Sequence, residues 1–141
     1  MCPYRLINME IVSKFYSKKD PGIIKYLFLL DTGETIEGVF LPFKKGEICV
    51  SCQLGCPINC IFCETGKNGF TRNLSKGEII TQVKLIQADI QKRKKKSIHS
   101  ITFMGMGEPL LNYKNIKNAI LTLRKNLKIE RIRLSTVGII P

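Results

Sequence analysis

The chain is poor in histidine, in acidic side chains and in long apolar runs, and it has no cysteine after Cys63. The one histidine, His99, has no second imidazole for company, so it reads as a surface or hydrogen-bonded side chain rather than a metal ligand. No stretch approaches the roughly 18 uninterrupted apolar residues of a membrane span. The N-terminus shows no positively charged segment leading into an apolar one, so no secretory signal is expected. Acidic residues number 11 against 23 Lys and Arg, a formal charge of +12. That excess points to a polyanionic partner, nucleic acid first and an anionic membrane surface second.

What the chain does have is 141 residues, enough for one domain, with an ordinary 44% hydrophobic content. Of its six cysteines, five crowd into residues 49–63. Clustering of that kind argues for metal in a reducing cytoplasm rather than for a disulfide framework. Cys2 stands apart and reads as a free thiol.

Taken in order, residues 1–22 read as polar and irregular, closing on the turn Lys18-Lys19-Asp20-Pro21-Gly22. Residues 24–30 are apolar and aromatic, Asp31-Thr32-Gly33-Glu34 is a turn signal, and residues 35–41 alternate up to Pro42. Together they predict an antiparallel hairpin. Residues 48–51 predict a short buried strand. From Ser75 the period changes: Ser75 and Glu78 fit a capping box, and Ile79, Val83, Ile86 and Ile90 share one helical face. That helix ends in the run 92–96, Lys-Arg-Lys-Lys-Lys. Cations suit a helix C-terminus, but five exceed what capping needs, which leaves phosphate contact as a second reading. Residues 101–104 predict a strand, Ile116, Ile120, Leu123 and Leu127 a second amphipathic helix, and residues 131–135 a third strand. The order strand, helix, strand, helix, strand implies parallel βαβ units with right-handed crossovers, an α/β fold. In such sheets functional sites gather at the carboxyl ends of strands. The loop after residue 51, the Gly107-Glu108-Pro109 loop and Ser135 all fall there.

The organising stretch is Cys56-Pro57-Ile58-Asn59-Cys60-Ile61-Phe62-Cys63. Three thiolates at this spacing ligate three irons of a [4Fe–4S] cube and leave the fourth open to a small molecule. The rival is structural zinc, since four of Cys49, Cys52, Cys56, Cys60 and Cys63 would complete a tetrahedral site. With Phe62 before the last cysteine, the octapeptide resembles the cluster loop of radical S-adenosylmethionine (SAM) enzymes.

Further blocks extend that resemblance. Cys49-Val50-Ser51-Cys52-Gln53-Leu54-Gly55-Cys56, Gly69-Phe70-Thr71-Arg72-Asn73-Leu74, residues 104–112 and residues 134–141, with Glu37-Gly38-Val39-Phe40-Leu41-Pro42 upstream, are similar to the RlmN/Cfr family of radical SAM RNA methyltransferases. The match runs from about residue 25 to residue 141 and is nearer RlmN, since Cfr-type sequences usually lack a cysteine at position 49. The resemblance implies the first three βα-type units of a partial (βα)6 barrel preceded by a β-hairpin. On that reading residues 1–47 are an N-terminal extension and residues 48–141 the first half of the core domain. It implies Cys56, Cys60 and Cys63 on the cluster, Gly107 and Glu108 on the methionine end of SAM, and Ser135 on its ribose. It also implies Glu37 as an acid–base carboxylate and Cys49 as the cysteine that resolves an RNA–protein bond. From the residues alone Glu37 reads as an exposed strand position. Implied partners are 23S rRNA and tRNA, and an electron donor such as flavodoxin or ferredoxin.

The chain departs from the family pattern in two places. It starts without the family's helical N-terminal domain, and it stops before the cysteine that carries the methyl group. The expectation is therefore a partial enzyme, an oligomer, or a chain that depends on a further C-terminal part. A radical SAM protein without methyl transfer and a non-catalytic metal-binding RNA module stand as alternatives.

Overall fold

Alternation in residues 35–41 puts Ile36, Gly38 and Phe40 on one side of a strand and Glu37, Val39 and Leu41 on the other. That two-residue period sets the molecule's two faces. In the computed structural model, which describes residues 7–43, 45–94 and 97–140, the first set is buried beneath helices and the second is half-open. In chain order the strands are β1 (Glu10–Tyr16), β2 (Ile24–Leu29), β3 (Thr35–Leu41), β4 (Glu47–Cys49), β5 (Gln53–Gly55), β6 (Phe70–Asn73), β7 (Ser100–Phe103) and β8 (Arg131–Leu134). The helices are α1 (Glu64–Lys67), α2 (Lys76–Lys94) and α3 (Tyr113–Asn126).

Six strands form one sheet in the order β1-β2-β3-β4-β7-β8, and β5 pairs with β6 in a separate ribbon. The hairpin β2–β3 is antiparallel and continues through β4, whereas β4, β7 and β8 are parallel. The fold is α/β, as the order of elements implied, and the hairpin is hydrogen-bonded into the same sheet as the βα units.

Both long helices form where periodicity placed them. Ile79, Val83, Ile86 and Ile90 are fully buried, and Ile116 and Leu123 nearly so, with Ala119 between them. The capping box closes in both directions: the Ser75 amide donates to Glu78 Oε2 (2.7 Å) and the Glu78 amide to Ser75 Oγ (3.2 Å). Arg72 holds the same carboxylate in a fork at 2.8 and 3.0 Å, so its pKa stays below the usual range although burial opposes this.

One reading needs correction, and one stretch gains elements. Residues 1–22 are not irregular throughout, because β1 lies within them. Its pattern is obscured by a bulge between Ile11 and Ser13 and by its place at the sheet edge, where both faces stay partly wet. Residues 64–73, to which the sequence pattern assigns no element, contain α1 and β6, which are too short to show a period. The thiol of Cys2 and, from the basic run, Lys95 and Lys96 lie outside the described residues.

Asp89 on α2 pins the edge strand. Its carboxylate takes Lys14 Nζ (2.5 Å), the Tyr26 hydroxyl (2.8 Å) and Arg93 Nε (3.0 Å). Burial pushes the carboxyl up, but these three donors outweigh it and hold the pKa below the usual range. A carboxyl depressed on folding stabilises above its unfolded pKa, and that contribution is lost as pH falls through the folded value. Asp89→Ala, which strips the buried Tyr26 hydroxyl of its acceptor, should therefore cost about 1–3 kcal/mol at neutral pH. The difference from wild type in urea unfolding should shrink in acid.

Candidate active site

The site is assembled where β4, β7 and β8 end. After Cys49 the backbone leaves the sheet, makes β5, and enters the loop 56–63 that returns through α1 and β6. The amide of Cys56 donates to Gly69 O (2.9 Å) and that of Cys63 to Cys60 O (3.0 Å), and Asn59 takes a positive φ of 54°. Cys56, Cys60 and Cys63 are all partly exposed on this loop. Ile61 and Phe62 between them are 92% and 87% exposed, an apolar tip with nothing to cover it. Cys63 occupies the N-cap position of α1 without a side-chain capping bond, and the nearby amides of Gly66 and Thr65 draw its thiol below the usual pKa, toward the thiolate.

The other two described thiols differ. Cys52 is 1% exposed, donates weakly to Met106 O (3.5 Å), and burial pushes its pKa up to about 12. Cys49, at the end of β4, is half-buried, and its thiol is raised by burial against a hydrogen bond at the Met104 backbone. Chemically the donors fit an iron–sulfur cluster with an open corner: three soft, partly exposed sulfurs on one loop, with the adjacent Cys52 packed into the core. Among the described residues no three His, Cys, Asp or Glu side chains converge closely enough to hold a metal ion, so Cys56, Cys60 and Cys63 share one loop without being drawn together on it.

The loop after β7 supplies the second wall. Gly107 has φ +99°, and a Cβ there would lie 2.5 Å from Gln53 Cβ, so the backbone passes directly over β5. Glu108 is 4% exposed. Its carboxylate accepts from the amides of Leu110 (3.0 Å) and Val137 (3.0 Å) and from the Thr136 hydroxyl. Burial raises this carboxyl, but the three bonds together hold it below the usual range. Glu108 thus ties the loop after β7 to the segment after β8, where Ser135 is exposed and its amide donates to Phe103 O (3.3 Å).

Glu37 belongs to the open face. Val39 pairs with Cys49 across β3 and β4, which makes Glu37 and Cys49 diagonal neighbours on that face. Glu37 is ion-paired to Lys25 (2.9 Å) and lines a cleft of about 360 Å³ with Leu54, Thr65, Asn68 and Met106. One wall of that cleft is the cluster loop's return path. A larger cleft of about 450 Å³, lined by Phe43, Lys45, His99 and Arg131 among others, opens at the opposite, amino-terminal end of β7 and β8, away from this chemistry. His99 sits there with Ser97 (3.1 Å) and Glu130 (3.1 Å), a hydrogen-bonded side chain as expected.

A buried polar frame holds these loops, and the sequence reading missed it. Gln82 grips both backbone groups of Ser51 (2.9 and 3.0 Å), and Ser51 Oγ bridges Glu37 O (2.6 Å) and the Met106 amide (2.9 Å). Gln53 accepts from the Glu108 amide (2.8 Å), and Asn112 donates to Cys52 O (2.7 Å) and Leu74 O (2.8 Å). One signal was available: Gln82 interrupts the apolar stripe of α2, and a polar side chain there must find partners.

An α/β sheet whose parallel strands end at a three-cysteine loop and a glycine-exposed loop defines a radical SAM core. The profile of the Radical SAM superfamily matches residues 50–141, and the chain belongs to that superfamily. Membership implies a [4Fe–4S] cluster and SAM as its cofactors. Within it, the chain is 48% identical over 136 residues to a "Probable dual-specificity RNA methyltransferase RlmN" of Pseudothermotoga lettingae, covering 92% of this chain and 38% of that protein. It is 49% identical over 119 residues to the protein of the same description from Trichodesmium erythraeum, covering 82% and 33%. A crystal structure of a radical SAM methyltransferase from Sphaerobacter thermophilus superposes with TM-score 0.84 at 34% identity, covering 93% of this chain and 39% of that one. The chain thus spans between a third and two fifths of the length of these relatives. No helix among the described residues is long and apolar enough to cross a membrane.

Proposed function

We propose that this chain is the cluster- and cofactor-holding part of a cytoplasmic RNA adenine methyltransferase of the RlmN type, acting at C2 of adenine in 23S rRNA and tRNA. The observation that carries the proposal is the sorting of thiols: Cys52 is buried in the core, while Cys56, Cys60 and Cys63 stand partly exposed on one loop at the carboxyl end of the sheet. These three hold the cluster through sulfur. When bound, the cluster supplies the electron that cleaves the sulfonium of SAM to a 5′-deoxyadenosyl radical.

The chain's own residues bind and orient. Gly107 lets the backbone approach the methionine end of SAM, and Glu108 offers its remaining lone pair to the ammonium while its other bonds keep it fixed. Ser135, exposed beside it, donates to the ribose. On the open face, Cys49 and Glu37 flank the place for the base, with Cys49 as the resolving thiol and Glu37 as the carboxylate that moves its proton. A small electron-transfer protein, flavodoxin or ferredoxin in kind, would dock at the exposed tip Ile61–Phe62 to supply the electron. The open sheet face is completed by a further segment or a second copy.

Anaerobically reconstituted and reduced, the chain should convert SAM to 5′-deoxyadenosine and methionine, read by chromatography. A loaded cluster with no such cleavage would overturn the cofactor assignment. In RNA digests, 2-methyladenosine is the expected product where the chain acts together with a segment that supplies the methyl-carrying cysteine, and methylation at another position would overturn the C2 assignment.

A further inference from the structure

The outer surface of α3 carries charge of one sign: Arg124 and Lys125 stand in its last turn, where the helix dipole favours cations, but nothing in the fold accounts for Lys114 and Lys117 or for the absence of any acid among them. Ile116, Ala119 and Leu123 face the core, leaving Lys114, Lys117, Arg124 and Lys125 exposed with Leu121 among them. At 3.6 residues per turn the four cations fall within an arc of about 100° and run for about 16 Å along the axis. The helix contains no acidic residue, and among the described residues none of the four enters an ion pair. The arrangement is unfavourable for the isolated chain. Lys114 stands in the first turn, where the helix dipole favours acids, and Lys117 is its like-charged neighbour three residues on. The companion helix α2 shows the ordinary solution, with Arg93 on Asp89 at 3.0 Å.

Position gives the stripe a direction. Glu108 is followed by the 3-10 turn Pro109–Asn112 and then at once by α3, so the helix begins at the end of the sheet where the cluster loop lies. Tyr113 opens it, 50% exposed, with Lys117 Nζ 6.0 Å from its ring centroid. An aromatic face beside unpaired cations is the pattern by which single-stranded nucleic acid is held, bases on rings and phosphates on charge. A membrane surface fits less well, because the apolar side of α3 is spent on the core and only Leu121 is left outside.

We propose that this stripe is a track for the RNA phosphodiester backbone, leading substrate toward the site, with Tyr113 stacking a base at its upper end. The proposal rests on the RNA-methyltransferase reading above. Binding of a short, mixed-sequence single-stranded RNA to the full 141-residue chain is measured by anisotropy across a potassium chloride series. Replacing Lys114, Lys117, Arg124 and Lys125 by Gln should weaken binding about tenfold or more at low salt and flatten the log–log slope by about 2–3, near 0.7 per cation. The control Lys18→Gln/Lys19→Gln should leave the slope unchanged. Tyr113→Ala should weaken binding about fivefold or more at constant slope, with helix content by circular dichroism unaltered in every variant. An unchanged slope in the fourfold variant, or an equal loss per charge in the control, overturns the track while the RNA reading stands. Absence of RNA binding by the wild-type chain overturns both. A loss confined to binding of anionic phospholipid vesicles would reassign the stripe to a membrane surface and overturn the track.

Discussion

Replacing any one of Cys56, Cys60 or Cys63 with Ala abolishes the cluster, whereas Cys52→Ala keeps it: that is the expected result of iron and sulfide analysis on anaerobically reconstituted chains. The spacing alone does not decide this, since five cysteines within residues 49–63 leave a four-thiol closed site open. Environment decides it. A ligating sulfur must be a thiolate that reaches the metal. Cys52 is 1% exposed, its thiol is pushed up to about 12, and it points at a backbone carbonyl in the core. Cys63 has the opposite surroundings, with helix-start amides drawing it toward the thiolate. The wild type should bind one four-iron cluster, and each of the three loop variants should bind little or no iron. Cys52→Ala should hold wild-type iron and lose about 1–2 kcal/mol of stability from the small cavity. Loss of the cluster in that variant would mean a closed four-cysteine site, and the open iron would go with it.

Gly55→Ala should be nearly as damaging without touching a ligand. Gly55 has φ +76°, and a Cβ there would sit 2.0 Å from Gly69 O and 2.9 Å from Phe70 Cα. Those are backbone atoms, so no side chain can rotate aside, and β5 and β6 must part. The hydrogen bond from Cys56 N to Gly69 O lies across the same gap and would break, releasing Cys56, the first of the proposed ligands, from its place. Left-handed strain adds about 1–2 kcal/mol to the clash, for a total of about 3 kcal/mol or more. The urea midpoint should fall and cluster occupancy should fall with it. Gly33→Ala is the control: φ is +92°, but nothing lies within 4 Å of its added Cβ. It should cost about 1–2 kcal/mol for the left-handed backbone and leave the cluster intact. Equal cluster loss in both variants would show that the tight crossing of β5 and β6 does not set the loop.

Much of this protein is determined by sequence alone, because its signals are local. Period-four-and-three spacing of Ile79, Val83, Ile86 and Ile90, the capping pair Ser75 and Glu78, and alternation in β3 each act over a few residues, so they could be read without a partner in space. The cluster loop is legible for the same reason, its three sulfurs lying within eight consecutive residues. What only the tertiary structure decided depends on contacts between segments far apart. The strand β1 exists because β2 and Asp89, 75 residues beyond Lys14, hold an otherwise weak edge. The different fates of Cys52 and Cys56 follow from burial under Met106 and from exposure, which no spacing encodes. Glu108 becomes the tie to Thr136 and Val137, and Gln82 the brace of Ser51, because folding removes water from these groups and each must replace its lost hydrogen bonds with whatever donors and acceptors the fold brings near.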